Sequence, residues 1–333
     1  MNPSSAIVSR ETISSAASSS RRLSRVLSWL PMGLVIGGFV WLILVVRYAA
    51  GYGSYRRTLF NWLLGDWQDA TWQHGALAFP LAAFLVWRRR RTLAQLPVTP
   101  STTGLILTCF SLALYWVGYR GSFFLLGFAS IQLLLAGTVL WLGGWRWFRT
   151  VLFAWCIAGF AWPCPILEDT LAFQLRHLMV TCTAWLLNHV GVGTVQDGTR
   201  LISAATHGRA LGEWFSLNVD GPCSGLRSLF ALMMVGALFG YFRQRSLWRR
   251  GTLFLLSIPL AMIANMGRIL LLIGGSILFG QKFAIGDGEE YTSNFHLLAG
   301  IVVFLVAFAG LSLAATLLNR FCGPEKPLQI SED

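Results

Sequence analysis

The sequence predicts an all-α integral membrane protein of about eight transmembrane helices, with an additional amphipathic helix on the outer face and a small external loop or hairpin before helix six. Three observations carry this. The 333 residues are 55% hydrophobic and only 12% charged. The apolar runs approach the ~20 residues that cross a ~30 Å hydrocarbon layer. No stretch shows the alternating dyad of a transmembrane barrel, and a backbone in lipid that is not barrelled must satisfy its hydrogen bonds within helices.

Residues 1–26 are rich in Ser, carry Arg10, Arg21, Arg22 and Arg25, and bury nothing; a disordered cytoplasmic arm is expected. The run from Leu27 to Val46 is too long for a signal-peptide core and lacks a small-x-small cleavage site, so it stays as helix one. Spans are expected at about 28–47, 71–87, 102–119, 121–143, 148–165, 223–242, 252–277 and 296–319. The membrane domain then covers 27–320, and 321–333 form a cytoplasmic tail.

The net charge of +12 would suggest nucleic acid in a soluble chain. In a membrane protein clustered arginine reports topology, so no nucleic-acid partner is expected. Arg88 to Arg91, Arg146 with Arg149, and Arg243, Arg245, Arg249 and Arg250 all fall on one side with the amino-terminal arm and Lys326. A multi-pass protein of the cell (inner) membrane with both termini cytoplasmic follows.

The segment Glu168 to Val190 is helical in pattern but holds Glu168, Asp169, Arg176, His177 and His189. If it spanned, the loop RQRSLWRR would become external, against the positive-inside rule, so an amphipathic or re-entrant outer-face helix is expected. In the external loop 192–222, Phe215, Leu217 and Val219 alternate with Ser216 and Asn218 as a half-buried strand does.

Polar groups in membrane helices are costly, roughly 2.5 to 3.5 kcal/mol for a central arginine, and mark function by default. Three sites stand out: Cys223 opening helix six in DGPCSGLRS with Arg227 four residues on, Asn265 with Arg268 in helix seven, and His296 opening helix eight. Asp220 is read as an N-cap and Pro222 as a first-turn residue, which puts Cys223 beside free backbone N–H groups that favour a thiolate. Arg268 supplies a fixed cation for a thiolate or a developing oxyanion, and His296 moves protons near neutral pH. Nucleophile, electrostatic stabiliser and proton shuttle together suit acyl transfer.

Each has a plainer reading: Arg227 snorkelling, Arg268 in a buried structural pair with Asn265 or a carboxylate, His296 as an interfacial histidine. Cys109, Cys156 and Cys182 read as ordinary apolar-helix cysteines, Cys322 as incidental, and Cys164 lies between prolines at the outer end of helix five. His177, His189 and His207 lack the spacing of a metal site, so no metal and no cofactor are expected.

On Cys223-Ser224-Gly225-Leu226-Arg227-Ser228, Asn265-Met266-Gly267-Arg268 and Phe295-His296, in that order, the chain resembles the exosortase/archaeosortase family of multi-pass membrane cysteine transpeptidases. The resemblance covers roughly residues 150 to 320. It implies a catalytic triad of Cys223, Arg268 and His296, with Arg227, Asn265, Ser224 and Gly225 in support. It implies as partners secreted proteins that end in a short motif, a transmembrane helix and a basic cluster. These would be cut at the outer membrane face through a Cys thioester, and the new carboxyl end passed to an unknown acceptor, with membrane lipids around the site. Pro222 departs from the small residue usual before the cysteine. From the residues alone, a polytopic transporter and a lipid-directed acyltransferase remain as alternatives.

Overall fold

The computed structural model describes residues 33–35, 37–49, 56–69, 71–205, 208–219, 225–286 and 293–321. Five described helices are long and apolar enough to cross a membrane: Thr102–Gly121, Phe124–Ala161, Leu226–Arg243, Leu247–Phe279 and Asn294–Phe321. The shorter apolar helices Gly33–Leu44 (α1) and Gly75–Arg88 (α3) correspond to expected spans one and two. The 14 residues of α3 rise about 21 Å, short of a ~30 Å hydrocarbon core. Expected spans four and five run together as α6 (Phe124–Ala158), which continues into a 3-10 turn at Gly159–Ala161. The expected break survives inside α6 as a kink at Gly144, where φ is 82°.

The chain forms two compact units, Met1–Leu64 with Arg91–Thr150 and Gly65–Arg90 with Val151–Asp333. In the first, α1 leads into an antiparallel pair, β1 (Arg47–Ala49) and β2 (Arg56–Thr58), that the sequence did not announce. Helix α2 (Leu59–Asp66) starts in this unit, and α4 (Arg90–Gln95) and α5 (Thr102–Gly121) lead to α6. Tyr48 is fully buried and its hydroxyl donates to the Tyr115 carbonyl at 3.2 Å, while Tyr115 Oη donates to the Leu42 carbonyl at 2.6 Å. Gly104 lies against the Trp141 backbone and Gly137 against Thr108, so small residues let α5 and α6 approach closely.

The second unit is built around α9 (Leu247–Phe279), packed between α8 (Leu226–Arg243) and α11 (Asn294–Phe321), with the short α10 (Gln281–Ala284) beside its end. Helix α7 (Pro165–His189) and a three-stranded antiparallel sheet pack together; the sheet runs β3 (Thr194–Asp197), β4 (Arg200–Ser203), β5 (Ser216–Asn218). The expected hairpin is thus a meander with one strand more, because β5 closes against β4 with Leu201 opposite Leu217. The alternation was legible: Phe215, Leu217 and Val219 are buried, and Asn218 is exposed. They share a core with Met179, Val180, Ala184 and Leu187 of α7 and with Ile269, Leu272 and Ile273 of α9. On the other face of α7, Phe173, Leu178 and Trp185 are exposed beside His177 and His189. It is not among the spans of sufficient hydropathy.

Basic side chains gather at one end of this unit. Arg89 donates to Tyr241 Oη at 2.9 Å, Arg250 lies over the Tyr241 ring, Arg88 over Phe242, and Arg249 Nη1 donates to Asn319 Oδ1 at 3.3 Å. The end of α3, the end of α8, the start of α9 and the end of α11 therefore share one end of the bundle.

Candidate active site

Helix α8 begins within a few residues of the expected start. Gly225 has φ 77° and ψ −16°, a left-handed conformation through which a right-handed helix cannot continue, so α8 starts at Leu226. The expected first-turn place for Cys223 falls outside the described residues. Asp220, Pro222, Cys223 and Ser224 lie outside the described residues, as do His207 and Cys322. The Gly225 carbonyl accepts from the Leu229 amide at 2.9 Å and from Ser228 Oγ at 3.1 Å, closing the first turn.

The absence of a side chain at Gly225 is used for contact. A Cβ there would stand 2.8 Å from Met179 Cε and 3.0 Å from Asn265 Nδ2. Asn265 is 2% exposed on α9 and donates to Met179 Sδ at 3.2 Å. The cysteine motif and the Asn265–Arg268 motif therefore meet directly, although some 40 residues of chain separate them.

One turn beyond Asn265, the Arg268 guanidinium crosses to α11. It lies 3.5 Å from where a Cβ on Gly300 would be. Gly300 is four residues after His296, on the same helix face. The Arg268 charge acts on the His296 ring, which also reaches the backbone of Ile285. His296 is 4% exposed, and its own amide donates to Ser293 Oγ at 3.0 Å, so Ser293 caps α11 at its third residue. Ser293 Oγ in turn donates to the Ala284 carbonyl at 2.8 Å, fixing the entry of α11 against α10.

Arg227 is exposed on the first turn of α8, and its Nη2 donates to Gln73 Oε1 at 2.8 Å. Trp72 and His74, flanking Gln73, stack on Phe230 with ring centroids 5.0 and 5.8 Å away. Between α8, α9 and α11 lies a cavity of about 520 Å³ with Arg227, Asn265 and Arg268 on its wall and Ala231, Leu232 and Phe304 among its apolar lining. An apolar cleft with a few convergent polar groups is the ordinary form of a small binding site.

The structure thus brings together Gly225, Asn265, Arg268 and His296, with Arg227 at the mouth of the adjoining cavity. Met179 and Gln73 were not legible as partners, because nothing in a sequence marks a contact made across 86 or 154 residues. Ser293 was legible: a serine just before an apolar helical run is an N-cap signal. Cys109, Cys156 and Cys182 are exposed on helix surfaces, and Cys164 stands just before the first residue of α7. Among the described residues no group of His, Cys, Asp and Glu could hold a metal ion.

The site lies at the end of the bundle opposite the arginines. Eighteen residues of α9 separate Arg250 from Arg268, a rise of about 27 Å, and sixteen residues of α8 separate Arg227 from Arg243, a rise of about 24 Å. Both approach the ~30 Å thickness of a hydrocarbon core.

The family model described as Transmembrane exosortase (Exosortase_EpsH) matches residues 66–313, well over half of the chain. No curated protein and no solved structure gives a match.

Proposed function

The chain belongs to the transmembrane exosortase family, and from that premise we propose that it is a cysteine transpeptidase that cleaves the C-terminal sorting signal of secreted proteins at the outer face of the membrane. The observation that supports this reading is the meeting of three motifs. Gly225 touches Asn265, and Arg268 reaches across to α11 one turn from His296. Cys223 is joined to Gly225 through Ser224 alone, and two peptide links reach at most about 7 Å.

In this mechanism the Cys223 thiolate attacks the scissile carbonyl. The oxyanion that forms is stabilised by Arg268, whose guanidinium offers fixed donors in a site with apolar walls. As the C–N bond breaks, His296 gives its proton to the leaving amine, and a thioester on Cys223 remains. An acceptor nucleophile then loses its proton to His296 and attacks the thioester, which returns the thiolate and joins the acceptor to the new carboxyl end. With water as acceptor the same cycle is proteolysis. A substrate held by its own transmembrane helix presents its scissile bond near a membrane surface, and the distance of the site from the arginine end favours the extracytoplasmic one.

The test needs no known substrate. A membrane-impermeant maleimide is applied to intact spheroplasts carrying the chain with every cysteine but Cys223 replaced. Labelling from outside is expected, persisting below the reference thiol pKa of about 8.5 and slowing at neutral pH in Arg268→Ala. Labelling only after permeabilisation, or a free-thiol titration indifferent to Arg268, would count against the proposal. A co-expressed secreted reporter ending in motif, helix and basic cluster supplies the second readout: its C-terminal segment should be lost with the intact chain and kept with Cys223→Ala.

A further inference from the structure

We propose that Gln73 is a positioning residue: it holds the Arg227 guanidinium at the mouth of the cavity beside the candidate active site, where Arg227 grips an oxygen of the substrate segment. This rests on the transpeptidase reading above and goes beyond it by naming what sets one of its binding groups.

The turn that carries Gln73 is firmly built. The Thr71 amide donates to Asp69 Oδ1 at 2.7 Å, His74 Nδ1 donates to the Thr71 carbonyl at 3.1 Å, and the Gly75 amide, at the start of α3, donates to the Trp72 carbonyl at 2.8 Å. Trp72 and His74 are 6% and 9% exposed, while Gln73 between them is exposed. Both buried rings stack on Phe230, one turn beyond Arg227 on α8. Trp72 also shares a core with Leu226 and Leu229 of α8 and with Ala261 of α9. The turn is therefore strapped to the first two turns of α8, and Gln73 Oε1 meets Arg227 Nη2 at 2.8 Å from a fixed backbone.

Arg227 needs such a hold. It lines the same cavity as Arg268, and two like charges repel each other. Arg268 crosses to α11, whereas Arg227 is exposed and, unheld, has the many rotamers of a long side chain and open water to turn into. An amide oxygen fixes the guanidinium without supplying the counter-charge that a carboxylate would. Five donors let one guanidinium hold Gln73 and a substrate oxygen at once. At an exposed position charge is screened and acts on what it touches. The part of Arg227 is therefore binding, and thiol activation stays with Arg268.

Processing rates of the purified full chain in mixed micelles, over a range of concentrations of the same reporter, test this. Gln73→Met keeps the length and removes the acceptor. It is expected to raise KM about three- to tenfold, the effect of one hydrogen bond, with kcat, unfolding and maleimide labelling of Cys223 unchanged. Arg227→Ala is expected to raise KM at least as much, and Gln73→Met/Arg227→Ala no more than Arg227→Ala alone, because Gln73 acts through the arginine. Gln73→Glu keeps an acceptor but adds a counter-charge; it raises KM in the same direction and serves if methionine unsettles the turn. An unmoved KM in both Gln73 variants overturns the role. So do additive effects in the double variant, or a loss of stability or kcat with KM unmoved, each of which would make Gln73 merely structural. Failure of the transpeptidase reading looks different: the intact chain itself is then neither labelled from outside nor able to process the reporter, and the role of Gln73 falls with it. An intact chain that does both, with KM indifferent to Gln73, removes this role and leaves the reading standing.

Discussion

Replacing Gly225 with alanine tests the joint between the cysteine motif and α9. The new Cβ would lie 2.8 Å from Met179 Cε and 3.0 Å from Asn265 Nδ2, closer than packed side-chain atoms ordinarily sit. Two costs add. A left-handed φ of 77° costs an L-residue about 1 to 2 kcal/mol. Overpacking typically costs about 1 to 3 kcal/mol; the methionine terminus can swing aside, but buried Asn265 cannot. The sum is about 2 to 5 kcal/mol of lost stability. Unfolding of the purified chain in mixed micelles measures it, beside Gly251→Ala as control. Gly251 lies inside α9 with nothing within 4 Å of its added Cβ, so alanine there should be neutral or stabilising by about 0.5 to 1 kcal/mol. Reporter processing should fall as well, because a displacement of about 1 Å at a catalytic group can cost about a hundredfold. If Gly225→Ala unfolds within about 0.5 kcal/mol of the intact chain, the close approach of Gly225 to Asn265 is wrong, and with it the placement of the cysteine motif.

Arg268→Ala should slow reporter processing by about 10² to 10³, the usual effect of removing an oxyanion donor, and Arg268→Lys should recover only part because the fork is gone; equal rates for all three would remove Arg268 from the chemistry. His296→Gln should lower the rate by about 10² to 10⁴, whereas a structural histidine would lower yield and leave the rate per folded chain intact. Ser293→Ala takes the cap from α11 and a donor from the Ala284 carbonyl, so about 1 kcal/mol of stability should go, with Ser293→Asn restoring the cap; unchanged stability in the alanine variant would deny the capping role. Tyr241→Phe removes the acceptor for Arg89 at the exposed basic end and should cost less than about 1 kcal/mol with processing unchanged.

Much of the candidate site could be named from the sequence because its chemistry is unusual for its place. An arginine in the run IANMGRILLLIGG and a histidine opening an apolar helix are each conspicuous against lipid-compatible neighbours. What could not be named is how they are held. Met179 reaches Asn265, Gln73 reaches Arg227, and Gly300 makes room for Arg268 only once α7, α8, α9 and α11 are packed. The described α8 starts at Leu226, within a few residues of the expected start at about 223. Gly225 before it has a positive φ of 77°, and a Cβ there would meet Met179 and Asn265, contacts that no local start signal encodes.

The sequence by itself determined the class of protein, the order of its apolar segments and the end of the bundle at which the arginines gather. These depend on composition and on run length, which are read along one segment at a time. Tertiary structure alone decided that spans four and five join through a kink at Gly144, that the loop before α8 is a three-stranded sheet on α7, and that three distant motifs meet around Asn265 and Arg268 of α9. Each of those depends on surfaces far apart in the chain, selected by close packing of small against large side chains, and no local pattern encodes its partner.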